Sequence, residues 1–182
     1  MNKILLIISG SIAASRCKEI ITLLNNKEVN ISCILTKEAK KYVKISDIKK
    51  LLKNRIFTDE DEKKNKMLHI NLSRDNDIIV MCPATANSIA KFANGYGDNL
   101  ASNTLLASNK KILFVPAMNS FMWHNKINQK NVRLLKDSGH EFIGPTVGNL
   151  KCGEFGLGRI ENSKNIVNRI LNRLENVNLL KN

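Results

Sequence analysis

A chain of 182 residues, 43% of them hydrophobic, is long enough to bury roughly 70% of its unfolded surface around one core. No stretch approaches the ~20 consecutive apolar residues of a membrane-spanning helix, so a soluble domain is expected. The formal charge of +13 raises nucleic acid as a partner, but the basic residues are dispersed along the chain and aromatics make up only 5% of it. That is too few for a base-stacking platform, and neither a nucleic acid nor a membrane is expected as partner.

Residues 3–9 are nearly continuous in Ile and Leu, the pattern of a strand covered on both faces. Met1-Asn2-Lys3 ahead of this run resembles a secretory leader only superficially, because Gly10-Ser11-Ile12 opens a helix rather than a cleavage site. A helix is expected over 11–25, with Ile12, Cys17, Ile20, Ile21 and Leu24 at helical spacing, and a second buried strand over 29–36. Residues 59–65 form the most polar stretch, six of the seven being charged, and read as a mobile surface loop.

Two more buried strands are expected over 77–82 and 111–115, and helices over 85–94, 98–108 and 120–138. A short strand over 140–143 and an amphipathic helix over 163–176 complete the series. The chain reads as a single domain over 1–182 whose polar tail, 176–182, frays. Repeated β-α-β units imply an α/β fold: a three-layer, Rossmann-like (flavodoxin-like) parallel sheet with helices on both faces. In such sheets ligands bind beyond the carboxyl ends of the strands.

The four cysteines, Cys17, Cys33, Cys82 and Cys152, form no CxxC pair and have no histidine cluster beside them, so no metal site is expected. Cys33 and Cys82 lie in apolar runs and read as inert core thiols, whereas Cys17 fits either core or surface. A reducing, cytoplasmic compartment is the economical reading.

The chemistry-bearing segments follow the strands. Ser9-Gly10-Ser11-Ile12-Ala13 offers a tight turn and a helix-capping hydroxyl, suited to a phosphate but equally to plain capping. It is neither a GxGxxG fingerprint nor a P-loop, which disfavours NAD and ATP. Thr36 after the second strand either reaches the same crevice or caps the next turn. After the third long strand comes Cys82-Pro83-Ala84-Thr85-Ala86-Asn87-Ser88, where Pro83 is expected to end the strand and polar groups open a helix. After the fourth comes Pro116-Ala117-Met118-Asn119-Ser120-Phe121-Met122-Trp123, and a Gly-rich segment, Lys151-Cys152-Gly153-Glu154-Phe155-Gly156-Leu157-Gly158-Arg159, lies further on.

These segments resemble, in one unbroken order, those of the homo-oligomeric, flavin-containing cysteine decarboxylase family. The Pro-x-Met-Asn-x-x-Met-Trp signature is matched at every defined position. The Gly-rich segment resembles the Ala-Cys-Gly-Glu-x-Gly-x-Gly-Arg clamp of the branch that acts on phosphopantothenoylcysteine, with Lys151 in place of Ala. The resemblance implies FMN as cofactor and phosphopantothenoylcysteine as substrate, in coenzyme A biosynthesis. The flavin would oxidise the thiol to a thioaldehyde, CO2 would leave, and the enethiolate would be reduced again.

The resemblance further assigns His69 as active-site base, Asn119 as the holder of the substrate carboxylate or amide and Cys152 as the proton donor to the enethiolate. It implies FMN contacts at Gly10, Ser11, Ile12, Thr36, Thr85, Ala86, Asn87, Ser88 and Ala117. Substrate contacts are implied at Met118, Asn119, Lys151, Cys152, Gly153, Glu154 and Arg159. His124 and His140 match no catalytic position and read as structural or exposed. A homotrimer, or a larger assembly of trimers, is implied, with FMN at a subunit interface. Many bacterial relatives carry a second, synthetase domain for which this length leaves no room, so that activity is expected elsewhere. Two rival readings keep the fold: a peptidyl-cysteine decarboxylase of the lantibiotic type and a non-catalytic FMN-binding regulatory subunit. The former needs no proton donor such as Cys152, and relatives that have lost catalysis lack the His or the clamp Cys.

Overall fold

The computed structural model describes residues 2–52 and 56–179. In chain order the elements are β1 (Asn2–Ile8), α1 (Cys17–Asn25), β2 (Val29–Leu35), α2 (Ile45–Leu52), β3 (Ile56–Phe57), α3 (Asp59–Lys64), α4 (Leu68–Asp75) and β4 (Ile78–Ala84). They continue with α5 (Ala86–Ala93), α6 (Leu100–Leu106), β5 (Ile112–Pro116), α7 (Ser120–His124), α8 (Lys126–Asp137) and β6 (Glu141–Phe142). A hairpin of β7 (Thr146–Asn149) and β8 (Phe155–Arg159) precedes the last helix, α9 (Ser163–Leu179).

Strands β1 to β6 form one parallel sheet in the order β3-β2-β1-β4-β5-β6, the doubly wound arrangement expected from the repeated β-α-β pattern. Its central strands β4 and β5 are buried along their whole length because both faces are covered. In β1, Ile4, Leu6 and Ile8 point to one core with α1, α2 and α9, while Leu5 and Ile7 point to the other with α4, α5, α6 and α8. All five are fully buried, which contributes about 1.5–3 kcal/mol apiece by transfer from water.

Four expectations change. Residues 59–64 are helical rather than a loop, because the Asp61 carboxylate accepts from both the Thr58 amide, at 2.8 Å, and its hydroxyl, at 2.9 Å. Acidic residues in the first turn and Lys63 and Lys64 in the last complement the helix dipole. Pro83 does not end β4: the ladder with β5 shifts register between Met81 and Ala84, so the missing N–H falls where no ladder bond is needed. The helix expected over 120–138 is broken at Asn125, whose side chain accepts from the Ile127 amide at 2.9 Å and starts α8 afresh. Helix α9 continues to Leu179, past the expected fraying point at 176, while the rest of that tail, 180–182, lies outside the described residues. No helix among the described residues is long and apolar enough to cross a membrane.

Candidate active site

The turns that follow β1, β2, β4 and β5 open onto one cleft of about 1230 Å3, placed where the strand order reverses between β1 and β4. Ser11 forms one edge. Its extended backbone starts a short 3-10 turn, and its hydroxyl accepts from the Ala13 amide at 3.2 Å. Gly10 cannot carry a side chain there, because a Cβ would lie 2.4 Å from Cβ of Glu38, so the turns after β1 and β2 press together. The Thr36 hydroxyl accepts from the Ala39 amide at 3.3 Å, so it caps the next turn and lines the cleft at once.

Thr85 is the N-cap of α5. Its Oγ1 accepts from the Ser88 amide at 3.1 Å and lies 2.7 Å from Ser88 Oγ, which turns Ala86, Asn87 and Ser88 toward the cleft at the end of a helix whose leading amides favour negative charge.

The opposite edge is Ala117-Met118-Asn119, directly after β5. Asn119 is the N-cap of α7, and its Oδ1 accepts from the amides of Phe121 at 2.8 Å and Met122 at 3.4 Å. That cap determines which way the amide points. With Oδ1 consumed by the helix, the NH2 group faces the hairpin and donates to Glu154 Oε2 at 2.5 Å and to Cys152 Sγ at 3.5 Å.

The hairpin reaches Asn119 because β8 lies directly on this turn. The Met118 amide donates to the Gly158 carbonyl at 3.0 Å, and a Cβ on Gly158 would stand 2.2 Å from the Met118 carbonyl oxygen. At the hairpin tip the Leu150 amide donates to the Glu154 carbonyl at 2.7 Å and the Gly153 amide to the Leu150 carbonyl at 3.0 Å. Gly153 adopts the left-handed φ of +89°, which favours glycine. The segment read as a Gly-rich clamp is therefore half strand, β8, and half closed turn.

The cleft gathers Gly10, Ser11, Ile12, Thr36, Thr85, Ala86, Asn87, Ser88, Ala117, Met118 and Asn119, together with Lys151, Cys152 and Arg159. Gly153 and Glu154 sit at the hairpin tip, Glu154 entering through Asn119. His69 is not on the wall of this cleft. It lies on α4, half-buried, with Nδ1 2.6 Å from Glu62 Oε1 of α3. A carboxylate only accepts, so Nδ1 donates to Glu62, and Nε2 is the ring nitrogen that this contact leaves open.

Several cleft residues went unread in the sequence. Tyr42 and Asp59 line the wall and carry no motif; chain reversal after β2 and the start of α3 deliver them. Glu38 is held below the usual carboxylate range by its hydrogen bond with Lys41, and Asp98 by its hydrogen bond with Lys91. Both therefore stay ionised at neutral pH. Of the four thiols, Cys17, Cys33 and Cys82 are buried and Cys152 is exposed. A hydrogen bond with Cys82, with burial behind it, pushes Cys17 well above the usual thiol value, and burial does the same for Cys33. Cys17 is thus a core residue whose Sγ lies 3.1 Å from the Cys82 carbonyl. Of the other histidines, His140 is structural, packed edge-on against Phe92 and Phe114, and His124 ends α7.

The sequence matches the Flavoprotein family over residues 1–175. It is 32% identical over 177 residues to a probable phosphopantothenoylcysteine decarboxylase of Streptococcus mutans, covering 95% of this chain and 99% of that one. It is 34% identical over 168 residues to the coenzyme A biosynthesis bifunctional protein CoaBC of Bacillus subtilis, covering 91% of this chain but 41% of that protein. The chain thus spans less than half the length of that relative. The fold superposes with a TM-score of 0.87 and 29% identity on a PPC decarboxylase mutant complexed with pantothenoylaminoethenethiol, covering 96% and 98% of the two chains. On the FMN binding protein AtHal3 the TM-score is 0.84 at 29% identity, covering 93% and 95%. The chain belongs to the Flavoprotein family.

Proposed function

We propose that this flavoprotein is an FMN-dependent decarboxylase that converts phosphopantothenoylcysteine to phosphopantetheine in coenzyme A biosynthesis. The observation that carries this reading is the Asn119 amide, aimed by its own helix cap into the cleft and shared between a thiol and a carboxylate. A donor so placed suits a ligand carboxylate, and the exposed Cys152 thiol beside it suits proton delivery to the carbon that has lost CO2.

The residues around the cleft fit FMN. Small residues after β1 and β4 let a ligand approach the backbone, and capped helix starts at Ser11 and Thr85 suit a phosphate and polar ring atoms. In this reading Gly10, Ser11, Ile12 and Thr36 hold its phosphate and ribityl chain, and Thr85, Ala86, Asn87, Ser88 and Ala117 hold the remainder. When bound, FMN supplies the two-electron oxidation of the substrate thiol and returns those electrons after CO2 has left.

Asn119 and Met118 position the cysteine end of the substrate. The hairpin tip, with Lys151, Cys152, Gly153 and Glu154, covers it with Arg159 at the base, and covering excludes water from the reactive intermediate. Lys151 and Arg159 also bring positive charge to the cleft, which favours a phosphorylated substrate.

His69 is the base, acting through Nε2 while Glu62 orients the ring. Since it does not line its own cleft, it serves the cleft of a neighbouring subunit in a homotrimer or a larger assembly of trimers. Phe121 (78% exposed), Ile127 (72%) and Phe155 (73%) are apolar side chains that a subunit contact would cover. A cytoplasmic location goes with this reading, supported by four cysteines that are all free.

The test is anaerobic and aerobic turnover of phosphopantothenoylcysteine by the FMN-loaded protein, with products read by mass. Wild type is expected to release CO2 and phosphopantetheine, and Cys152→Ser to stop at the enethiol. A yellow wild-type protein that leaves this substrate untouched would overturn the assignment. A peptide-derived enethiol as the product would move it to the peptidyl-cysteine reading.

A further inference from the structure

We propose that Glu154 is an internal stand-in for the substrate carboxylate. It occupies the Asn119 donor when the cleft lacks substrate, and it must be displaced by a ligand that brings a carboxylate of its own. This inference rests on the decarboxylase reading and deepens it by naming how the site tells an acid from its decarboxylated product.

The Asn119 amide presents a single edge to the cleft. Its Oδ1 accepts from the Phe121 and Met122 amides, so rotating the amide to present its other edge would uncap α7. Its NH2 group has two hydrogens: one goes to Glu154 Oε2 at 2.5 Å, the other points to Cys152 Sγ at 3.5 Å. A substrate carboxylate on this edge would stand against the Glu154 carboxylate, and like charges so close drive one of the two from the donor.

Glu154 is built to let go. Its backbone is held by the hairpin turn through the Leu150 amide, while its side chain is exposed and makes no ion pair among the described residues. Only the side chain has to move, and the turn stays closed. Displaced into solvent, the carboxylate regains its hydration, so one charged acceptor replaces another with little net loss.

A ligand without a carboxylate cannot take part in this exchange. Glu154 stays on Asn119 and the ligand gains nothing there. When the substrate carboxylate leaves as neutral CO2, the donor becomes free again and Glu154 can return to it. Product is thereby held less tightly than substrate at the one contact that separates them.

The experiment uses the FMN-loaded protein and two ligands that lack the oxidisable thiol: phosphopantothenoyl-alanine, which keeps the carboxylate, and its decarboxylated ethylamide. Binding is read by isothermal titration calorimetry, and the flavin absorbance reports that each variant is folded and loaded. Glu154→Gln is expected to tighten the acid about fivefold, the difference between a charge-assisted and a neutral hydrogen bond. It should leave the ethylamide unchanged. In an Asn119→Ala background the gain should vanish, since there is no longer a donor to compete for.

Weaker acid binding by Glu154→Gln, an equal change for both ligands, or a gain that survives Asn119→Ala overturns the proposal. Wild-type turnover of phosphopantothenoylcysteine is measured alongside. An inactive wild type with the fivefold selective gain refutes the decarboxylase reading alone. An active wild type without that gain refutes the role of Glu154 alone, and failure of wild type to bind either ligand refutes both.

Discussion

His140 accepts a hydrogen bond from the Ile112 amide at Nδ1, at 3.1 Å, and packs against Phe92 and Phe114 with ring centroids 5.1 and 6.1 Å away. The neutral ring carries its proton on Nε2, and a second proton on Nδ1 would face an N–H. Burial holds the imidazole below its ordinary value, so the unfolded chain binds more protons than the folded one in mildly acidic solution. Stability present above the unfolded value of about 6.5 is therefore lost as pH falls toward the lower folded value. Chemical denaturation at pH 7.5 and 5.5 should show wild type losing stability across this interval. His140→Asn, which keeps an acceptor but cannot titrate, should show a smaller loss; equal losses in both proteins would remove His140 as the cause. Asn119 is a second residue whose local duty, capping α7, decides its functional one by leaving only its donor edge for the cleft.

Among the elements, the β7–β8 hairpin matters most to the site. Its free end is the turn bearing Lys151, Cys152 and Glu154, and its fixed end is Gly158 seated on the Met118 carbonyl. Gly156 repeats the device, since a Cβ there would lie 2.7 Å from Ser120 Oγ. Gly158→Ala should push β8 off the turn that carries Asn119. Overpacking of this kind costs about 1–3 kcal/mol, so kcat/KM should fall about tenfold or more. FMN absorbance should persist, because the helix starts at Ser11 and Thr85 lie on other elements. Unchanged kcat/KM would mean that the hairpin tip reaches the substrate without this seat. Helix α3 acts in the same indirect way: it has no buried residue of its own, yet it supplies Glu62 to orient His69.

For the whole molecule, the separation of His69 from its own cleft makes a direct prediction about assembly. His69→Asn and Cys152→Ser should each be inactive as pure oligomers. Co-expressed with different tags and purified as hybrid trimers, they should recover about a third of wild-type turnover. In a cyclic trimer that holds both variants, one site of the three receives an intact His69 from one subunit and an intact Cys152 from the next. No recovery in confirmed hybrids would place both residues in the same chain's chemistry. Light scattering of the wild type would give the number of subunits independently.

Much of this was legible in the sequence because it is local or periodic. Apolar runs, unbroken in the body of β1 and in β5 and interrupted in β2 only by Asn30 and Ser32, marked these strands and β4, since a strand covered on both faces has few polar positions. The turn after β5 carried the Asn119 segment and the β7–β8 hairpin the Cys152 segment, each as a contiguous motif. The short helix α3 was missed because its charge concealed a cap made by Thr58 and Asp61. The break at Asn125 was missed because an apolar period runs on either side of it.

What only the tertiary structure decided are relations between residues distant in sequence. The sharing of Asn119 among Cys152 and Glu154 spans more than thirty positions, and depends on a glycine small enough to let two backbones touch. The pairing of His69 with Glu62, and its exclusion from its own cleft, depend on how α3 and α4 pack beside the sheet. Periodicity reports which side of an element is buried. It carries no information on which distant element covers it, and that choice is what assembled the site.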